Sequence, residues 1–223
     1  MRGDLPTSPV QGSSQWWPLL RNLRRRGPWS LLVVVHGYSG GVVPELLASA
    51  LNALAKQRTA PVWVQALTAD PVALPPGERL LVVPLLLTPG SHARFDLPAL
   101  RERLRAAGHE VVLLPFLGAW PAWLEHLRDL VAASGCASVL HHPLRSGVAD
   151  RYLTALAHRL ERPLISDWPA DWPRAGATGG PLPLALAPNR MTAQLADAGF
   201  EAPALLERSA TRDLVFTLLR NLP

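Results

Sequence analysis

Two histidines in this sequence follow uninterrupted apolar runs. Leu31-Leu-Val-Val-Val35 leads straight into His36-Gly37, and Leu80-Leu-Val-Val-Pro-Leu-Leu-Leu87 leads through Thr-Pro-Gly-Ser91 to His92. Such runs are the mark of strands buried on both faces of a parallel sheet. Ligands of parallel α/β sheets sit beyond the carboxyl ends of the strands, so two such strands deliver two imidazoles to one rim. Imidazole accepts and releases protons near neutral pH, and it ligates Co, Ni, Fe and Zn. A lone loop histidine is ordinarily tied up in a local hydrogen bond. Two at matched strand ends point to a functional pair, His36 and His92, of a type suited to ligating a metal ion or to moving protons.

The elements that must position this pair alternate along the chain. Leu31–Val35 reads as a strand. Pro44–Lys56 reads as a helix, with Leu47, Ala50, Leu51 and Leu54 at helical spacing. Pro61–Leu67 and Leu80–Leu87 are the next strands. A helix then opens with Asp96 as N-cap and Pro98 in its first turn, runs to Ala107 and is closed by Gly108. Glu110–Pro115 is a fourth strand and Pro121–Ala133 a further helix. Strands alternating with helices predict an α/β fold, a parallel sheet with helices on both faces. Residues 1–28, rich in Pro, Ser, Gly and Arg and without a period, are expected to form a flexible N-terminal tail. Within it Trp16-Trp17-Pro-Leu-Leu is a candidate docking segment, and Arg24-Arg-Arg26 reads as a solvated charge run.

The second half echoes the first. A shift of 105 residues aligns His36 with His141, Val34 with Val139, Glu45 with Asp150 and Leu51 with Leu156. Further on, Ala107-Gly-His-Glu110 matches Ala198-Gly-Phe-Glu201 at the smaller shift of 91. The expectation is an internal duplication: two similar parallel-sheet α/β lobes facing each other across a cleft. Residues 29–133 form the N-terminal lobe that carries the site, and residues 134–223 a degenerate C-terminal repeat lobe. His141-His142 is the counterpart of His36. No histidine follows His158, so the second lobe cannot rebuild the pair and one site per chain is expected. Asp167–Gly180, with Trp168 and Trp172, reads as a loop.

Composition narrows the class. With 223 residues, 48% of them hydrophobic, the chain can bury a sizeable core. Its formal net charge is +5, and Lys56 is the only lysine among its basic residues. No basic run interleaves with aromatics and no zinc-finger spacing occurs, which argues against a nucleic-acid partner; a basic surface suits a polyanionic small molecule equally well. The single cysteine, Cys136, excludes a disulfide framework and fits a reducing, cytoplasmic setting. No run is long enough for a membrane span, and no organic cofactor signature is present. Trp120 and Trp123 read as core or cleft wall, and His109 and His126 as surface residues.

A competing motif is Gly37-Tyr-Ser39-Gly-Gly41, which fits the G-x-S-x-G elbow of an α/β-hydrolase after a strand. That fold needs a late histidine, and the chain has none beyond His158. The other reading of Ser39 and its glycines is a tight loop that lets a flat ligand approach the backbone.

The string Val-Val-Pro-Leu-Leu-Leu-Thr-Pro-Gly-Ser-His92-Ala-Arg-Phe-Asp96-Leu-Pro98, preceded by the strand-borne His36-Gly37, resembles the ATP-independent class II tetrapyrrole chelatases. Within them it is most similar to the sirohydrochlorin cobalto/ferrochelatase group. The likeness spans roughly Leu31 to Val131. It implies insertion of a divalent metal, Co²⁺ or Fe²⁺, into sirohydrochlorin or a related tetrapyrrole of cobalamin and siroheme synthesis. It also implies a two-lobed fold, with His36 and His92 as the metal-holding and catalytic pair. Gly37, Ser39, Arg94 and Asp70 are candidate substrate contacts, since sirohydrochlorin is a polycarboxylate and arginines at the cleft mouth suit it; Arg101 lies close by. Where the family commonly has Leu-Glu at the end of the second strand, this chain has Leu67-Thr68. The segment between Asp70 and Leu80 is short, and His-Gly-Ser-Arg is replaced by His36-Gly-Tyr-Ser39. These departures keep a second reading alive, a non-catalytic tetrapyrrole- or metal-binding paralogue.

Overall fold

The computed structural model describes residues 18–145, 147–166 and 180–223, with residues 18, 19 and 39 described for their backbone alone. The first sheet holds β1 (Ser30–Val35), β2 (Val62–Ala66), β3 (Arg79–Pro84) and β4 (Glu110–Leu113) in the order β2-β1-β3-β4, all neighbours parallel. Every residue of β1 is buried. Alternation along it sends Leu31, Val33 and Val35 into one core and Leu32 and Val34 into another. Helices α2 (Glu45–Ala55) and α4 (Pro121–Ser134) cover the first face with Leu47, Leu51, Leu54, Trp123, Leu127 and Val131. Helix α3 (Leu97–Ala106) covers the second with Leu97, Leu100 and Leu104. Each such leucine, fully removed from water, contributes about 1.5–3 kcal/mol.

The second sheet is smaller: β5 (Val139–Leu140), β6 (Leu164–Ile165) and β7 (Leu182–Pro183), parallel in the order β6-β5-β7. Its helices are α5 (Asp150–Leu160), α6 (Arg190–Asp197) and α7 (Ser209–Arg220). The element order of the first lobe recurs. Helix α5 starts 105 residues after α2, and β1 and β5 end immediately before His36 and His141. The two Ala-Gly turns also coincide: Gly108 has φ +87° and Gly199 φ +84°, each closing its helix in the left-handed region. Among the described residues the second sheet has no counterpart of β4.

Three expectations are corrected. The segment before Trp29 is not a tail from residue 18 onward: α1 (Pro18–Arg25) is a helix whose Leu20 and Leu23 are buried against Trp29 in the main core. Arg24 donates to the Asn221 carbonyl at 2.5 Å and Arg26 pairs with Glu110 at 2.5 Å, so these arginines bind protein as well as facing solvent. The two sheets share one core. One continuous cluster runs from Leu31 and Leu51 through Trp123 to Val139, Leu156, Val215 and Leu218, and α7 packs on α2 and α4. His126, read as a surface residue, is half-buried and bonded to Thr211 Oγ1 of α7 at 2.8 Å. Trp120 and Trp123 are core, as expected. The tryptophans at 16, 17, 168 and 172, and the loop 167–179, lie outside the described residues.

Candidate functional site

β1 and β3 are the two central neighbours of the first sheet, so their carboxyl ends open on one rim. His36 follows β1 directly. β3 ends at Pro84, earlier than the apolar run, because the chain turns away while Leu85 and Leu86 stay buried. It then crosses to His92, which opens a π-turn over His92–Asp96 that runs into α3. A π-turn inside a helix is a common device for aiming a functional side chain.

The two imidazoles meet. Their centroids lie 4.7 Å apart at an interplanar angle of 83°, edge to face. The hydrogen bonds behind them settle which nitrogen faces outward. His36 Nδ1 is 2.7 Å from the Gly37 carbonyl, which can only accept, so Nδ1 carries the proton. His92 Nδ1 is 2.5 Å from Asp96 Oδ2. In the neutral form of each ring the lone pair is therefore on Nε2, the atom through which such an imidazole can bind a metal ion.

Gly37 is required where it stands. Its φ is +77°, and a Cβ there would lie 2.7 Å from Thr68 Oγ1 and 2.8 Å from Ala66 Cβ. Thr68, at the end of the second strand, fixes the same loop. Its hydroxyl donates to the Tyr38 carbonyl at 2.7 Å, with the His36 carbonyl at 3.3 Å. The side chain at this position is thus committed to holding the His36 loop.

The second lobe closes over both histidine loops. Tyr38 donates its hydroxyl to the Pro188 carbonyl. Arg94 Nη1 donates to the Val148 carbonyl at 3.1 Å. Tyr152 Oη of α5 sits 3.0 Å from the Leu87 carbonyl and 2.9 Å from that of Gly118. Burial pushes the Tyr152 phenol well up, so it stays a neutral donor. His142 of this lobe lies near enough to His36 to feel its charge. Asn189 Oδ1 caps α6 by accepting from Met191 and Thr192 N–H at 3.0 and 3.1 Å, so its Nδ2 is the donor to His142 Nε2 at 3.2 Å. Burial, then the fields of His36 and His141, lower the His142 pKa. His141 is buried and repeats the local bond of His36, its Nδ1 lying 2.7 Å from the next residue's carbonyl.

The other expected residues are placed as follows. Arg94 is at the rim, tied to the second lobe. Ser39 opens a three-residue turn, and its side chain lies outside the described atoms. Helix α2 starts only at Glu45, so the strand–serine–helix elbow of a hydrolase does not form. Asp70 is exposed beyond edge strand β2, and among the described residues no hydrogen bond links it to either histidine. Asp96 does not cap α3, since its side chain makes no capping bond and goes to His92 instead. Tyr38, Asp96, Tyr152, His142 and Asn189 were not singled out by sequence reasoning as parts of the site; of these, only the four-residue spacing of His92 and Asp96 left a local trace. Among the described residues no three His, Cys, Asp or Glu side chains converge on one metal position. An open recess of about 530 Å³ on α5, lined by Thr154, His158, Glu161 and Arg162, includes none of the histidine-site residues.

Residues 59–134, from just before β2 to the end of α4, match the CbiX family model. The matched stretch contains His92, Asp96 and Thr68 and stops short of His36, whose place in the site rests on the ring contact. The fold is similar to a solved structure described as CbiX, the terminal enzyme for biosynthesis of siroheme in denitrifying bacteria. That likeness has a TM-score of 0.54 at 22% sequence identity, and covers 86% of this chain and 98% of the other. It shows a shared fold over most of the chain. No curated protein matches the chain significantly. Among the described residues no helix is long and apolar enough to cross a membrane.

Proposed function

We propose that this chain inserts a divalent metal, Co²⁺ or Fe²⁺, into sirohydrochlorin or a closely related tetrapyrrole, on the path to siroheme or cobalamin. The observation that carries the reading is the imidazole pair, 4.7 Å apart, each ring with Nδ1 occupied and Nε2 open. The CbiX match around His92 supports it. The ion is a substrate, held first by His36 and His92. Insertion breaks two pyrrole N–H bonds as metal–nitrogen bonds form, and two protons leave. A neutral imidazole that releases the ion regains the lone pair that takes up such a proton. Two ligands hold an ion loosely enough to pass it on. Gly37 keeps the loop floor free of a side chain, and Arg94 at the rim suits the carboxylates of the macrocycle.

The test is the absorbance change of sirohydrochlorin with Co²⁺ or Fe²⁺ against the uncatalysed rate. His36→Ala and His92→Ala should each abolish the acceleration while leaving the fold intact, since neither ring belongs to a core cluster. Full activity in either variant removes that histidine from the mechanism. A second reading, a binding protein without catalysis, draws on Thr68, whose hydroxyl is spent on the loop carbonyls where a carboxylate would accept protons. Tight macrocycle binding with no rate acceleration would decide for it.

A further inference from the structure

The two imidazoles are backed differently. His36 leans on a neutral peptide carbonyl, that of Gly37, at 2.7 Å. His92 leans on a carboxylate, Asp96 Oδ2, at 2.5 Å. An imidazole whose Nδ1–H is held by a carboxylate is oriented more firmly and is the more basic metal ligand at Nε2. We propose that Asp96 is a positioning residue that makes His92 the stronger of the two metal-holding imidazoles.

The local structure supports a dedicated role. Asp96 stands where an N-cap would be expected, yet its backbone is already helical at φ −72° and ψ −38° and its side chain caps nothing. The π-turn, in which the Leu97 N–H reaches back to the His92 carbonyl, carries the chain from His92 to Asp96 without a break. The helix end therefore does not need this carboxylate. Among the described residues the Asp96 side chain pairs with no arginine or lysine, and it bonds to the His92 imidazole. The resulting asymmetry suits an ion in transit, with His92 as the firmer hold and His36 as the one that lets go.

This inference rests on the reading of the pair as a metal site, and the experiment separates the two. Co²⁺ is titrated by visible absorbance into the full-length protein without tetrapyrrole, for the wild type, His36→Ala, His92→Ala, Asp96→Ala, Asp96→Asn and the double variant His92→Ala/Asp96→Ala. Asp96→Ala should weaken Co²⁺ binding about 10–100-fold, the usual effect of removing such a partner. Asp96→Asn, which still offers an oxygen to Nδ1–H but no charge, should fall between it and the wild type. His92→Ala should lose more affinity than His36→Ala. In the double variant Asp96→Ala should add nothing to His92→Ala, because it acts only through that ring. Binding of metal-free sirohydrochlorin and the thermal midpoint should not change. Unchanged Co²⁺ affinity in Asp96→Ala, or losses that add in the double variant, would overturn the role of Asp96 while leaving the metal site standing. Wild-type Co²⁺ affinity in both single histidine variants would overturn the metal site itself, and this inference with it.

Discussion

Thr68→Val is the most direct probe of how the His36 loop is held. Valine matches threonine in shape, so the change deletes only the hydroxyl that reaches the Tyr38 carbonyl at 2.7 Å and lies 3.3 Å from that of His36. A neutral hydrogen bond contributes about 0.5–1.5 kcal/mol net. Thr68 is exposed, so water replaces part of the bond and about 0.5–1 kcal/mol is expected here. If that energy keeps His36 edge-on to His92, its loss appears as ion affinity reduced roughly two- to fivefold. Thr68→Ser keeps the hydroxyl and should stay within about twofold of the wild type. Thr68→Glu removes the same staple but adds a carboxylate ionised above about pH 4.3. Its Co²⁺ affinity without tetrapyrrole is therefore not the discriminating measurement; its insertion rate should rise, because the added carboxylate can accept pyrrole protons. The assays are Co²⁺ titration and metal insertion followed by absorbance. Wild-type Co²⁺ affinity in Thr68→Val, beside a clear loss in His36→Ala, would refute the staple.

Two further outcomes follow from the same geometry. Arg58, its pKa lowered by burial, donates to the carbonyls of Trp29 at 3.1 Å, Leu222 at 2.9 Å and Pro223 at 2.7 Å. Arg58→Ala should unseat the C-terminal segment and cost about 1.5–3 kcal/mol in denaturant unfolding, without changing Co²⁺ affinity. His142 and His126 both have pKa values below the ordinary imidazole value, burial being the first cause for each. Between their folded values and about 6.5 the unfolded chain binds more protons, so stability rises with pH there. Urea midpoints should therefore fall as the pH is lowered through that window, and His142→Gln and His126→Gln should each flatten the slope.

Local pattern alone determined most of the scaffold. The run Leu31–Val35 could only be a strand covered on both faces, and β1 is buried throughout. The spacing of Leu47, Leu51 and Leu54 placed α2 to within a residue of its start. The 105-residue echo announced a second lobe whose first strand ends at a histidine. That His36 and His92 would come to one rim was legible because a strand end fixes where its next residues go. What a side chain binds once there was not legible. Asp96 at a helix start reads as a cap, and only the π-turn turns it toward His92. Helix α1 is eight residues long, too short to hold itself, and it exists because Leu20 and Leu23 find the core. The links from Tyr38 to Pro188, from Arg94 to Val148 and from His142 to Asn189 join residues 150, 54 and 47 positions apart. Periodicity reports which face of an element is buried, over a few turns or strands. It carries no record of which loop of one lobe will lie against which loop of the other. That depends on how two sheets dock through one continuous core, and the docking alone brought the His142 imidazole within the field of His36.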